Sequence, residues 1–186
     1  MADLEVLGIA GSLRAGSYNR ALLRAAAELA PAGMAVRAWE GLRDLPPYDG
    51  DVESRGFPAA VEAMQEAVRG AGALLLVTPE YNHSVPGVLK NALDWASRPP
   101  GRSALSGKVA AIAGASTGAL GTVRAQADLR RVLSAAGAFV VPSPEVIVAS
   151  ASQRFDPGGR LTDEAARKQL GRLLASLAAW HRRVPG

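Results

Sequence analysis

Five consecutive apolar residues, Ala73-Leu74-Leu75-Leu76-Val77, run without a single polar alternation. A strand with one wet face alternates apolar and polar side chains, so this run belongs to a strand covered on both faces, as in a parallel sheet with helices above and below. The rest of the chain repeats that theme. Val6 to Ala10 is a short apolar run that stops at Gly11, and Leu22, Ala25, Ala26 and Leu29 follow at helical spacing. Met34 to Trp39 reads as a second strand, with Val61, Met64 and Val68 marking the next helix. After the central run come a helix over Pro86 to Ala96 with proline in its first turn and a fourth strand over Val109 to Ala113. A helical stripe of Ala125, Leu129, Val132, Leu133 and Ala136 then leads to a fifth strand at Phe139-Val140-Val141. Leu170, Leu173, Leu174 and Leu177 mark a final amphipathic helix, predicted to open at Thr162 with Asp163 and Glu164 in its first turn.

Five strand-then-helix units predict a three-layer, doubly wound α/β sandwich around a five-stranded parallel sheet, because right-handed crossovers place helices on both faces. The 186 residues, 48 % of them apolar, show no composition break, so a single domain over 1–186 is expected. Glu40 to Gly56 is the longest irregular segment and is expected to be a surface loop. No apolar run nears the roughly 20 residues that span a bilayer, and the amino end lacks the layout of a signal peptide. A cytoplasmic protein without membrane contact is expected.

The chain has no cysteine, which excludes disulfides, thiolate metal sites and thiol nucleophiles together. Any redox chemistry must come from a cofactor. A formal net charge of +4 favours an anionic ligand. The cations are scattered and aromatic residues are few, which argues against nucleic acid as a partner. No spacing of His, Asp and Glu resembles a metal site.

In open α/β sheets ligands collect beyond the carboxyl ends of the strands, so the connections after the first, third and fourth strands are the candidates. The first, Gly11-Ser12-Leu13-Arg14-Ala15-Gly16-Ser17-Tyr18-Asn19, combines two glycines, short hydrogen-bonding side chains and one guanidinium just before a helix. Those are the parts of a phosphate cradle, although Ser17 or Asn19 acting only as a helix cap is the simpler alternative. Ser17 stands where a Walker A lysine should be, and Leu13 occupies the second glycine of a dinucleotide fingerprint, so neither motif applies. The second connection, Thr78-Pro79-Glu80-Tyr81-Asn82-His83-Ser84-Val85-Pro86-Gly87, is stiffened by two prolines and suits a planar ligand. His83 has no base-orienting partner nearby in sequence. The third, Gly114 to Gly121, is built of small residues that let backbone approach a flat ring.

Together these segments resemble the flavin site of the NADPH-dependent FMN reductase family, a flavodoxin-like group that includes quinone, azo-dye and chromate reductases. The resemblance rests on Gly11-Ser12-Leu13-Arg14-x-x-Ser17-x-Asn19-Arg20 and on Thr78-Pro79-Glu80-Tyr81-Asn82-x-Ser84-Val85-Pro86-Gly87-x-Leu89-Lys90-Asn91-Ala92-x-Asp94-Trp95, with a looser match at Gly114-Ala115-Ser116-x-Gly118. It implies that Ser12, Arg14, Ser17, Tyr18 and Asn19 surround the FMN phosphate and ribityl chain. Pro79, Glu80, Tyr81, Asn82 and His83 would border the isoalloxazine, and Ser116, Thr117 and Gly118 would meet its other edge. His83 and Thr117 stand where the family varies.

The implied activity is oxidoreduction. NADPH or NADH would give a hydride to bound FMN and leave, and a small acceptor such as a quinone, azo compound, free flavin or chromate would take both electrons in a ping-pong cycle. No side chain need act as acid, base or nucleophile, so no catalytic residue is named. Nothing in the sequence marks a residue that would separate NADPH from NADH. The resemblance also implies a homodimer or a dimer of dimers through helices near Leu89 to Trp95, with Asp94 and Trp95 as interface candidates and burial of Trp95 in the core as the alternative. A flavodoxin-like one-electron carrier and a non-catalytic flavin-binding regulator are the alternative functions.

Overall fold

A computed structural model describes residues 3–184. Its sheet runs β1 (Leu4–Ala10), β2 (Met34–Ala38), β3 (Ala73–Val77), β4 (Val109–Ala115), β5 (Phe139–Val140) and β6 (Val146–Val148). The helices are α1 (Tyr18–Glu28), α2 (Gly50–Arg55), α3 (Ala59–Gly70), α4 (Gly87–Ala96), α5 (Val123–Ala135) and α6 (Glu164–Arg183). Every strand pair is parallel, in the order β2-β1-β3-β4-β5, with β6 also lying on β4. This is the doubly wound sandwich that the repeating pattern predicts, in the flavodoxin-like form that the resemblance implies.

The central run splits its side chains between two cores, because successive residues of a strand point to opposite faces. Ala73, Leu75 and Val77 of β3, with Val109, Ala111, Ala113 and Ala115 of β4, face the core formed with α1 and α6. Leu74, Leu76, Ala110 and Ile112 face the core formed with α3, α4 and α5. All of β3 and β4 is buried, which explains the lack of polar alternation in the sequence. Filling a core of this kind contributes about 1.5–3 kcal/mol for each fully buried leucine or valine.

Four expectations are corrected. The fifth strand is two pieces: Phe139 and Val140 pair with Val109 and Ala110, and Val146 to Val148 pair with Ala113 to Ala115. Pro142 and Pro144 lie between the pieces and cannot donate to a ladder, so the chain leaves β4 there and returns. The expected loop over 40–56 holds a 3₁₀ turn at Gly41–Asp44 and the short helix α2, whose Asp49 cap accepts the Asp51 N–H at 2.8 Å. Both are too short to print a helical period. The final helix begins at Glu164 rather than Thr162, since Asp163 is its N-cap and accepts the Ala166 N–H at 2.8 Å. Likewise Pro86 is the N-cap of α4 and lies just outside it. No helix among the described residues is long and apolar enough to cross a membrane.

Candidate functional site

From β1 the chain winds outward to β2, and β3 returns on the other side of β1, so the crossover direction reverses between β1 and β3. Ligands of doubly wound sheets bind at such a reversal. The β1–α1, β3–α4 and β4–α5 connections meet there, and two glycines let them meet. A Cβ on Gly11 would stand 2.9 Å from Leu89 Cδ2 and 3.3 Å from Pro79 Cδ, and one on Gly114 would stand 2.4 Å from the Thr78 carbonyl oxygen. A side chain at Gly114 would meet backbone and pry the connections apart, and one at Gly11 would press on Leu89 and Pro79.

In the β1–α1 connection Ser17 caps α1, its Oγ accepting the N–H groups of Asn19 at 3.2 Å and Arg20 at 3.3 Å. Capping and ligand contact are compatible here, because the same hydroxyl keeps its own proton to donate. The backbone N–H groups of Ser12 through Gly16 donate to no other described residue. The first turn of α1 holds no acidic residue, so its positive end is left uncompensated. Arg14 is exposed beside it. Tyr18 packs on Phe155 with ring centroids 5.2 Å apart. Asn19 is buried, and its amide is bound within the protein: Nδ2 donates to the Ala115 carbonyl and Oδ1 accepts the Ala115 N–H, each at 2.9 Å. That clasp ties the start of α1 to the end of β4.

The β3–α4 connection makes a tight turn of its own. Tyr81 and Ser84 exchange two backbone hydrogen bonds of 3.1 Å, and the central residues Asn82 and His83 both have positive φ, 49° and 67°. This is the pattern of a type I′ turn, which strains a histidine. Ser12 Oγ and Tyr81 Oη lie 3.3 Å apart, joining this turn to the first connection. On the other side, Ser84 donates its hydroxyl to Asp128 of α5 at 2.6 Å. That bond, with Arg131 as a second donor, holds the Asp128 carboxyl below its usual range.

The Glu80 side chain is turned toward α5. Its carboxylate accepts the N–H groups of Arg124 and Ala125 at 2.9 and 3.0 Å, at the start of α5. Thr122, the N-cap of that helix, makes no capping bond with its side chain, so Glu80 supplies the cap from 44 residues away in sequence. Arg124 Nη1 also donates to His83 Nδ1 at 2.8 Å, giving the histidine a partner that local sequence does not reveal.

The β4–α5 connection begins at Ser116, because β4 runs through Ala115. Ser116 is half-buried, whereas Thr117 and Gly118 are exposed. The end of β6 supports this connection: the Ser116 N–H donates to the Val148 carbonyl at 3.0 Å, and the N–H groups of Ser150 and Ala151 donate to the carbonyls of Gly118 and Ser116. Sequence reading missed this support together with β6, although the β-branched triplet Val146-Ile147-Val148 carries a strand signal. Trp95 is fully buried in the core, its Nε1–H donating to the Pro46 carbonyl at 2.9 Å, so it is not an interface residue. Asp94 pairs with Lys90 on the surface.

The sequence profile described as NADPH-dependent FMN reductase matches residues 4–153. The chain belongs to the NADPH-dependent FMN reductase family. An NAD(P)H-dependent FMN reductase of Pseudomonas aeruginosa is 50 % identical over 184 residues, covering 99 % of this chain and 98 % of the relative. A quinone reductase of Escherichia coli is 41 % identical over 183 residues, 97 % of either chain. Among solved structures, the flavoenzyme NAD(P)H:(acceptor) oxidoreductase FerB of Paracoccus denitrificans superposes with a TM-score of 0.88 at 32 % identity, covering 97 % of this chain and 98 % of that one. Membership of the reductase family thus accounts for the fold.

Proposed function

We propose that this chain is an NAD(P)H-dependent FMN enzyme that passes two electrons to a quinone or a similar small acceptor. The observation that carries the reading is the open donor set of Ser12 to Gly16 at the uncompensated amino end of α1, beside a rigid turn with exposed aromatic and amide groups. These residues fit the cofactor. A phosphate dianion is favoured by free backbone N–H groups, a helix amino terminus and one guanidinium. Ser12, Arg14, Ser17 and Tyr18 would hold the phosphate and ribityl chain, with Asn19 fixing their position through its clasp on Ala115. Pro79 to His83 and Ser116 to Gly118 would border the ring, and Glu80 would serve by its backbone while its carboxylate caps α5.

When bound, FMN supplies the relay that accepts a hydride from the nicotinamide and returns two electrons to the acceptor. The protein's part is to bind, orient and set polarity. Ser12 and Tyr81 lock the first two connections together, and Ser84 with Asp128 fixes the turn against α5. No described side chain is required as an acid or nucleophile. Tyr81, Leu120 and Val123 are 46 %, 58 % and 48 % exposed around this end of the sheet, which supports their being covered by a second copy in a homodimer or dimer of dimers. Dependence on a nicotinamide donor supports a cytoplasmic location.

The test is spectroscopic. Purified protein titrated with FMN should perturb the flavin's visible absorbance, NADPH added without oxygen should bleach it, and a quinone should restore it. Failure to bind FMN overturns the reading, and light scattering that returns the mass of a single chain overturns the dimer.

A further inference from the structure

On the far side of β1 from the proposed ring site, a crevice of about 280 Å³ opens between α1 and the end of β2. It lies at the carboxyl edge of the sheet, and Ser12, which touches Tyr81, also lines it. Its walls include Leu23, Val36, Trp39 and Leu42. The Trp39 indole lies across Gly41, where a Cβ would come within 2.5 Å of ring carbon Cζ2, so glycine there leaves room for a flat aromatic wall.

The mouth of the crevice is cationic. Arg20, Arg24, Arg43 and Glu40 line it. Arg20 pairs with Glu40 and cancels its charge. Arg43 donates to the Leu13 carbonyl at 3.0 Å, which anchors it without neutralising it. Arg24 lies beside Gly159, and neither it nor Arg43 has an ion-pair partner among the described residues. Two uncompensated guanidinium groups beside a crevice of mixed polarity with an indole wall suit a heterocycle that carries phosphate. In Rossmann-type dinucleotide sheets the position just past the second strand reads a nucleotide's ribose, and an arginine there accommodates a 2′-phosphate; this chain lacks the accompanying glycine fingerprint but carries arginines along the corresponding edge. From the β3–β4 boundary to β2 is two to three strand spacings, about 12 Å, within the span of a dinucleotide whose other end lies on the ring.

Resting on the reading of this chain as an NAD(P)H-dependent flavin enzyme, we propose that the crevice takes the adenosine 2′-phosphate end of NADPH, with Arg24 and Arg43 holding the phosphate. Glu40 makes the proposal sharp. Were it free of Arg20, its carboxylate would repel a 2′-phosphate and favour the ribose hydroxyl of NADH instead.

The experiment is calorimetry on the FMN-loaded protein with adenosine 2′,5′-bisphosphate and with 5′-AMP, for wild type, Arg24→Ala and Arg43→Ala. The expected result is binding of the bisphosphate about tenfold more tightly than 5′-AMP in wild type, with that preference cut severalfold in each variant. In parallel, kcat/KM for NADPH should fall in both variants while kcat/KM for NADH stays unchanged, and Arg24→Ala, which does not touch the β1–α1 connection, should leave the affinity for FMN unchanged. Equal affinity for the two nucleotides, or a preference that survives both substitutions, overturns the proposal even if NADPH is oxidised. A wild type that prefers the bisphosphate but oxidises neither nicotinamide upholds the crevice and removes the reductase reading.

Discussion

The β1–α1 and β3–α4 connections sit side by side at one end of the sheet and are held in opposite ways. The second is satisfied by the protein itself: two backbone bonds close its turn, Ser84 is tied to Asp128, and Glu80 is tied to α5. The first leaves the N–H groups of Ser12 to Gly16 without an acceptor in the described protein. Arg14, Ala15 and Gly16 are exposed, so water or an anion can meet these donors. One connection is a finished wall and the other a set of donors awaiting charge. Substitutions in the wall should therefore act on stability, and substitutions in the donor set should act on cofactor affinity.

The wall is tested most strongly from its neighbour β4 by Gly114→Ala, where the new methyl would meet the Thr78 carbonyl and the Thr122 hydroxyl. A loss of about 3 kcal/mol in urea unfolding is expected, since backbone must move to admit it. Unchanged stability would show that the connections are not closely packed. Next, Arg14→Ala should weaken FMN binding by about tenfold to a hundredfold while leaving unfolding of the flavin-free protein within about 0.5 kcal/mol of wild type. A stability loss without an affinity loss would reverse the assignment.

Glu80→Gln separates the two roles at a single residue. If its carboxylate serves α5, stability should fall by about 1 kcal/mol with FMN affinity within about twofold of wild type. A large affinity change with stability intact would return Glu80 to the ring. The smallest effect belongs to Asp128→Asn. The hydrogen bond from Ser84, then Arg131, lowers the folded carboxyl's pKa, so its contribution is complete above the unfolded value of about 3.9 and is lost as pH falls through the lower folded value. The stability gap between wild type and Asp128→Asn should therefore be constant near neutrality and shrink in acid. A gap that grows in acid would contradict the geometry.

Much of this was legible from the chain. Ala73 to Val77 reads directly as a strand covered on both faces, and Ser17 reads as a cap because capping chemistry is local. The order of residues along the three connections likewise identifies the family. What could not be read depends on contacts between distant segments. That the Glu80 carboxylate caps α5 is hidden because nothing near it in sequence announces that helix. The clasp of the Asn19 amide on Ala115, 96 residues away, is hidden for the same reason. Helix α2 and the 3₁₀ turn before it escape notice because periodicity needs more residues than they have. The division of the outer strand is hidden for a related reason: each piece alone is too short to stand out.

That divided outer strand also bears on how copies of the molecule can meet. Where the chain leaves β4 between Val140 and Val146, the border of the sheet presents no unbroken row of hydrogen-bonding groups, and two of its residues are prolines. An incoming strand would find no template to zip onto along that border. Growth by edge-to-edge stacking is blocked there, leaving helices and loops as the surfaces for association on that side.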